Sequence, residues 1–78
     1  MLTRCKVVCN QKFPYINSQG VEGFYLTFTP VYTGSPENDD FFKYTPGGSI
    51  QLSVTNPAVN EKFELGSQYY MDFSKAEK

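Results

Sequence analysis

Between residues 3 and 13 the side chains sort with a period of two. Thr3, Cys5, Val7, Cys9 and Gln11 share one face, and Arg4, Lys6, Val8, Asn10 and Lys12 share the other. Successive side chains of a strand point to opposite faces, so this alternation predicts a half-buried β-strand. Phe24, Leu26 and Phe28 alternate with Tyr25, Thr27 and Thr29, residue types that suit a pleated, half-buried surface, and they predict a second strand. Pro30 has no N–H to give a ladder, so that strand is expected to bulge there or to lie on an edge. Ile50, Leu52 and Val54 set against Gln51, Ser53 and Thr55 predict a third strand with one dry and one polar face. Residues 68–73 predict a fourth, with Tyr69, Met71 and Phe73 opposite Tyr70 and Asp72.

The breaks between these runs carry their own signals. Pro14-Tyr15-Ile16-Asn17-Ser18-Gln19-Gly20, closed by Gly23, reads as a mobile hairpin loop that carries Tyr15, with the glycines as turn residues. Ser35 is a natural N-cap, and Pro36 fits the first helical position because its missing N–H is not needed there. A helix over residues 36–44 follows, with Glu37, Asp39 and Asp40 near the positive end of its dipole and Lys43 near the negative end. Phe41 and one of Phe42 or Tyr44 are expected to face the sheet, and Thr45-Pro46-Gly47-Gly48 ends the helix. Asn56-Pro57 repeats the cap-then-proline device and predicts a single helical turn within residues 57–62. Residues 75–78 read as a frayed tail.

The expected fold is therefore mainly β with a minor helical part. It is one domain over residues 1–78, a small antiparallel sheet or partly closed barrel of four to five strands with one short helix. A small barrel with the helix over one end is the leading architecture. An open four-stranded sheet with the helix across one face is the alternative, and it differs chiefly in how its edges are protected.

Composition narrows the chemistry more than it narrows the fold. Eight acidic and seven basic residues leave a net charge of −1, and seven Phe and six Tyr supply the bulk from which so short a chain can build a core. With no histidine, every mechanism that needs an imidazole base, proton shuttle or zinc-ligating ring is excluded. Glu37, Asp39 and Asp40 are the densest acidic group, but their place at a helix start accounts for them, and the Asp-x-Asp-x-Asp-Gly spacing of a calcium loop is absent. Pro46-Gly47-Gly48-Ser49 precedes a strand and no lysine follows it, so it reads as a turn and not as a phosphate cradle. The expectation is a protein without catalytic residues, metal or cofactor.

Cys5 and Cys9 are the two cysteines. On one strand they lie on one face about 13 Å apart, beyond the reach of a disulfide. They are expected to be reduced and buried, with a redox role as the alternative. No apolar run is long enough to span a membrane, and Arg4 and Lys6 fall where a signal peptide would need apolar residues. Both facts point to a soluble chain that acts in a cytoplasm.

The surplus of aromatic residues is the main functional signal. Tyr25 and Tyr70 fall on strand faces opposite the apolar stripes and Tyr15 sits in a loop, so these three are the candidate binding residues. Such residues serve as protein-binding anchors, and they also serve as stacking platforms for single-stranded nucleic acid. The second use needs a basic groove, and a sequence pI near 5.2 disfavours it. A protein partner or a homo-oligomer is expected, through a sheet edge or the Tyr25/Tyr70 face, with a small ligand as a further option.

Arg4-Cys5-Lys6-Val7-Val8-Cys9-Asn10, Glu37-Asn38-x-x-Phe41-Phe42 before Thr45-Pro46-Gly47-Gly48, and Phe63-x-x-Gly66-x-x-Tyr69-Tyr70-x-Asp72-Phe73 span most of the chain. Through them the sequence resembles a group of small proteins of tailed bacteriophages. The resemblance implies a phage origin and expression in the host bacterial cytoplasm. It leaves open a role against a host factor or defence system, or a place in the virion or its assembly.

Overall fold

A computed structural model describes residues 3–43 and 47–77. The elements run β1 (Arg4–Ile16), β2 (Glu22–Pro30), α1 (Pro36–Phe42), β3 (Ile50–Val54), α2 (Pro57–Asn60) and β4 (Gln68–Asp72). The four strands form one antiparallel sheet in the order β3-β2-β1-β4. The edge strands β3 and β4 do not meet, so the sheet stays open and is not the small barrel that the strand count favoured. Mainly β, antiparallel and four-stranded are all as the alternation implies.

β1 is longer than its alternation suggested. Its ladder with β2 continues through Pro14, Tyr15 and Ile16, which pair with Phe24, Gly23 and Glu22, so the expected loop begins only at Asn17. Pro14 is tolerated because β4 accompanies β1 only from Arg4 to Val8. Past Cys9, whose backbone still bonds Gly66 and Ser67, β1 is an edge on one side. The Asn17 N–H donates to Val21 O across the hairpin, so by alternation Pro14 directs its missing N–H to the open side. The turn is held by Asn17, whose Oδ1 accepts the Gln19 and Val21 N–H groups, and by Gly20 at φ +77°.

Of the two expectations at Pro30, a bulge or an edge position, the bulge is not there: the register shifts instead in β1, between Cys9 and Gln11. One inserted residue reverses which face the later side chains occupy. Gln11 therefore leaves the face of Cys5, Val7 and Cys9, and Lys12 joins it opposite Leu26. Pro30 ends β2 beyond the stretch paired with β3, so its lack of an N–H costs no bond on that side.

Among the described residues, one face of the sheet is covered and the other is not. The connection from β3 to β4 must pass from one edge to the other, and it does so over the face carrying Cys5, Val7, Cys9, Leu26 and Phe28, all buried. Phe63 from this connection packs edge-on against Phe28 (5.4 Å between ring centroids) and Tyr69 (5.3 Å). Lys12 Nζ donates to Asn60 O and Phe63 O, the Asn60 amide donates to Val54 O, and Gly66 N–H donates to Cys9 O. The molecule is 18 Å deep along its shortest axis, enough for a sheet and one covering layer.

α1 closes the end of the sheet where β1 begins and β2 stops. Lys6 N–H donates to Asn38 Oδ1 at 2.6 Å, and Asn38 Nδ2 donates to Lys6 O and Val31 O at 2.8 Å each. The buried carboxamide thus takes the ladder position that β2 vacates. Phe42 packs against the core cluster, whereas Phe41 stays 39% exposed against Phe42 and Phe73. The expectation that Phe41 faces the sheet is corrected accordingly, because the helix stands at the sheet end and not across a face. Tyr44 and the stop at Thr45-Pro46 lie outside the described residues. Phe73, expected in the last strand, falls just past β4 and is 52% exposed.

Candidate functional site

The bulge and the open sheet together build an aromatic array on the uncovered face. Past the bulge Phe13 and Tyr15 turn to this face, where Phe13 stands opposite Tyr25. Tyr15 stands opposite Gly23, and its ring lies flat against Tyr25 with centroids 4.2 Å apart and planes 21° from parallel. The Tyr15 hydroxyl reaches β3, 2.5 Å from Ser53 Oγ. Gly23 permits this path, since a Cβ there would lie 2.9 Å from the Tyr15 ring and 2.8 Å from Val54 O. Gly23 is therefore a strand residue that makes room for an aromatic ring, not the turn residue its spacing suggested.

Gln11, Phe13, Tyr25, Thr27, Gln51 and Ser53 line a shallow trough of about 440 Å³ beside this stack. Phe13 and Tyr25 are 55% and 51% exposed. None of these residues is charged. The surface can stack on planar or apolar groups and exchange hydrogen bonds through two amides and three hydroxyls, and it is held in place by a rigid ladder.

Tyr70 lies on the same face but belongs to a different group. It pairs with Lys6, and Tyr25 pairs with Phe13, which puts the two tyrosines ~20 Å apart along β1. The Tyr70 ring lies under the Arg4 guanidinium (4.7 Å) and the Lys6 ammonium (5.3 Å), and its hydroxyl donates to Glu37 Oε1 at 3.0 Å. Arg4 in turn grips Asp72 with two bonds, of 2.5 and 3.1 Å. The Arg4 bond holds the Asp72 carboxyl below its ordinary range, and the Ser35 hydroxyl, with backbone and Tyr70 donors, does the same for Glu37. This group ties β4 to the start of α1.

Of the three tyrosines singled out from the sequence, Tyr15 and Tyr25 are brought together and Tyr70 is not. Tyr15 is a half-buried strand residue and not a loop residue. Phe13, Gly23 and Ser53 escaped sequence reading. The period-two run Gln11, Phe13, Tyr15 past the bulge was the signal for Phe13, and Pro14 obscured it.

Cys5 and Cys9 are unpaired and buried on the covered face, and burial pushes both thiols up from their ordinary pKa. Among the described residues no cluster of three or more His, Cys, Asp or Glu is placed to hold a metal ion, and no helix is long and apolar enough to cross a membrane. No protein-family model, curated protein or solved structure matches the chain.

Proposed function

We propose that this is a non-enzymatic binding protein that engages a protein partner through the uncovered face of its sheet, with Phe13, Tyr15 and Tyr25 as anchors. The observation that carries this is the pinned Tyr15–Tyr25 stack beside an uncharged trough on a face that no segment crosses among the described residues. Rigid aromatic rings among amides and hydroxyls are the side chains that dominate interface energetics, because they bury large area at little cost in conformational entropy. Part of the ordering precedes binding: the ladder fixes the backbone, and Ser53 and Tyr25 hold the Tyr15 side chain. The resemblance to small tailed-phage proteins supports a setting in the bacterial host cytoplasm, with a host factor or defence component as the partner class.

A single-stranded nucleic acid is the weaker occupant. Stacking platforms bind strands tightly only when cations neutralise the phosphates. The trough holds no Lys or Arg, and on this face Arg4 and Lys6 lie at the far end over Tyr70, with Arg4 already paired to Asp72.

Photo-crosslinking in bacterial host cells tests the reading. A benzophenone side chain is placed at Phe13, at Tyr25 or, as a control off the sheet, at Tyr32, which is 62% exposed. One protein adduct common to positions 13 and 25 and missing from 32 is expected. Adducts identical at all three positions, or adducts to nucleic acid from 13 and 25, would overturn it.

A further inference from the structure

The β3 edge carries an inference that is independent of what the aromatic face binds. The Val31 N–H donates to Lys6 O, so by alternation the odd residues of β2 direct their backbone groups to β1 and the even ones to β3. Phe24, Leu26 and Phe28 pair with Val54, Leu52 and Ile50, which fixes the backbone groups of those three β3 residues inward. Gln51 and Ser53 therefore present their N–H and C=O groups outward from the sheet. Gln51, Leu52 and Ser53 are exposed.

Edge strands are usually protected by a charge, a proline, a bulge or a covering segment. From Ser49 to Thr55 the chain has no charged residue and no proline, and its ladder with β2 runs without a register shift. β4, the other edge, ends at the Arg4–Asp72 ion pair and carries Tyr70 bound to Glu37.

We propose that two copies of the chain pair through their β3 strands, antiparallel about Leu52. The strand reads Ile50-Gln51-Leu52-Ser53-Val54, a pattern that is symmetric about its centre in apolar and polar character. In this register Ile50 meets Val54 of the second copy, Gln51 meets Ser53, and Leu52 meets its own counterpart. Every side chain finds one of its own kind on its own face. The two Gln51–Ser53 positions are hydrogen-bonded pairs, so their outward groups form four N–H···O bonds. Leu52 falls on the two-fold axis at a non-hydrogen-bonded position, where opposing side chains approach most closely. Leu52 points to the covered face yet is 40% exposed, as a residue lacking its neighbour would be. The axis is perpendicular to the sheet. The result is a continuous sheet of eight strands with both aromatic troughs on one side, joined through Gln51 and Ser53, which line each trough at its β3 edge.

Light scattering of the unmodified protein at high micromolar concentration is expected to give twice the monomer mass of 8.9 kDa. Gln51→Pro deletes an outward N–H that β2 does not use, and it is expected to give the monomer mass with an unchanged circular dichroism spectrum. Leu52→Cys keeps the test independent of how that proline folds. Facing Cα atoms at such a position are about 4.5 Å apart, within the range that a disulfide spans. Under mild oxidation Leu52→Cys is expected to cross-link to a covalent dimer, and Leu65→Cys, 64% exposed but away from the edge, is not. A monomer at every concentration, or a dimer in which Leu52→Cys cross-links no faster than Leu65→Cys, would overturn the proposal.

Discussion

The two faces of the sheet use similar side chains to opposite ends. On the covered face Phe24, Phe28, Phe63 and Tyr69 pack around Leu26 and the two cysteines, the last three ring to ring in edge-on contacts. The Tyr69 hydroxyl is drawn in as well, donating to Lys62 O and accepting from Glu64 N–H. On the open face Tyr15 and Tyr25 are as firmly placed, but no other described segment packs over them and Tyr25 stays 51% exposed. Aromatic count does not distinguish a core from an open aromatic face. What decides is the path of one connection: β3 and β4 are opposite edges, so the chain between them must cross one face, and it does not cover the other.

Substitutions should separate the faces by energy. Phe28→Ala, at a side chain 4% exposed, is expected to cost about 3–5 kcal/mol in chemical denaturation. Tyr25→Ala, on the open face, is expected to cost about 1 kcal/mol, most of it the lost stack on Tyr15. Equal costs would mean that the open face is a second core. Asn38→Ala comes next, at about 2–4 kcal/mol, because it strands the Lys6 N–H and the Val31 carbonyl at a buried site, while Lys6 O keeps the Val31 N–H as donor. Asn38→Asp keeps the acceptor but loses the donor, and should recover only part.

Gly23→Ala sharpens the comparison on the open side. The added methyl meets the Tyr15 ring and Val54 O, so about 1–3 kcal/mol is expected, with a change in the near-ultraviolet circular dichroism of the tyrosines as the stack shifts. The smallest effect belongs to the ionic end of the same face. Glu37 and Asp72 have folded-state pKa values below their ordinary 4.5 and 3.8, so their contribution is complete above those values and is lost as pH falls through the lower, folded ones. A shallow drop in melting temperature below about pH 4 is expected, reduced in Asp72→Asn and weakened by salt.

Much of this fold was legible because alternation and caps are local. Ile50, Leu52 and Val54 announce β3 within five residues, and Ser35-Pro36 and Asn56-Pro57 mark both helices. The rest depends on partners distant in sequence. Nothing near Asn10 announces the bulge that sends Phe13 and Tyr15 to the open face, and Pro14 reads as a turn until β4 is known to stop at Val8. Closure into a barrel turns on whether β3 meets β4, a contact between strands that no local pattern encodes. Asn38 looks like one more polar helix residue until the end of β2 leaves the Lys6 N–H without a ladder acceptor. The aromatic surplus was visible from the start, but which tyrosines meet was not, and Tyr70 fell to the ionic group because β4 pairs with the beginning of β1.

Binding through the stacked tyrosines of the open face is the proposed function. Titration calorimetry with the partner captured at positions 13 and 25 tests it most directly. Tyr25→Ala is expected to weaken that complex by ~30-fold or more, the scale of an interface hot spot, while Tyr32→Ala stays within about twofold of the unmodified protein. Unchanged affinity in Tyr25→Ala, with the fold intact by circular dichroism, would contradict the account.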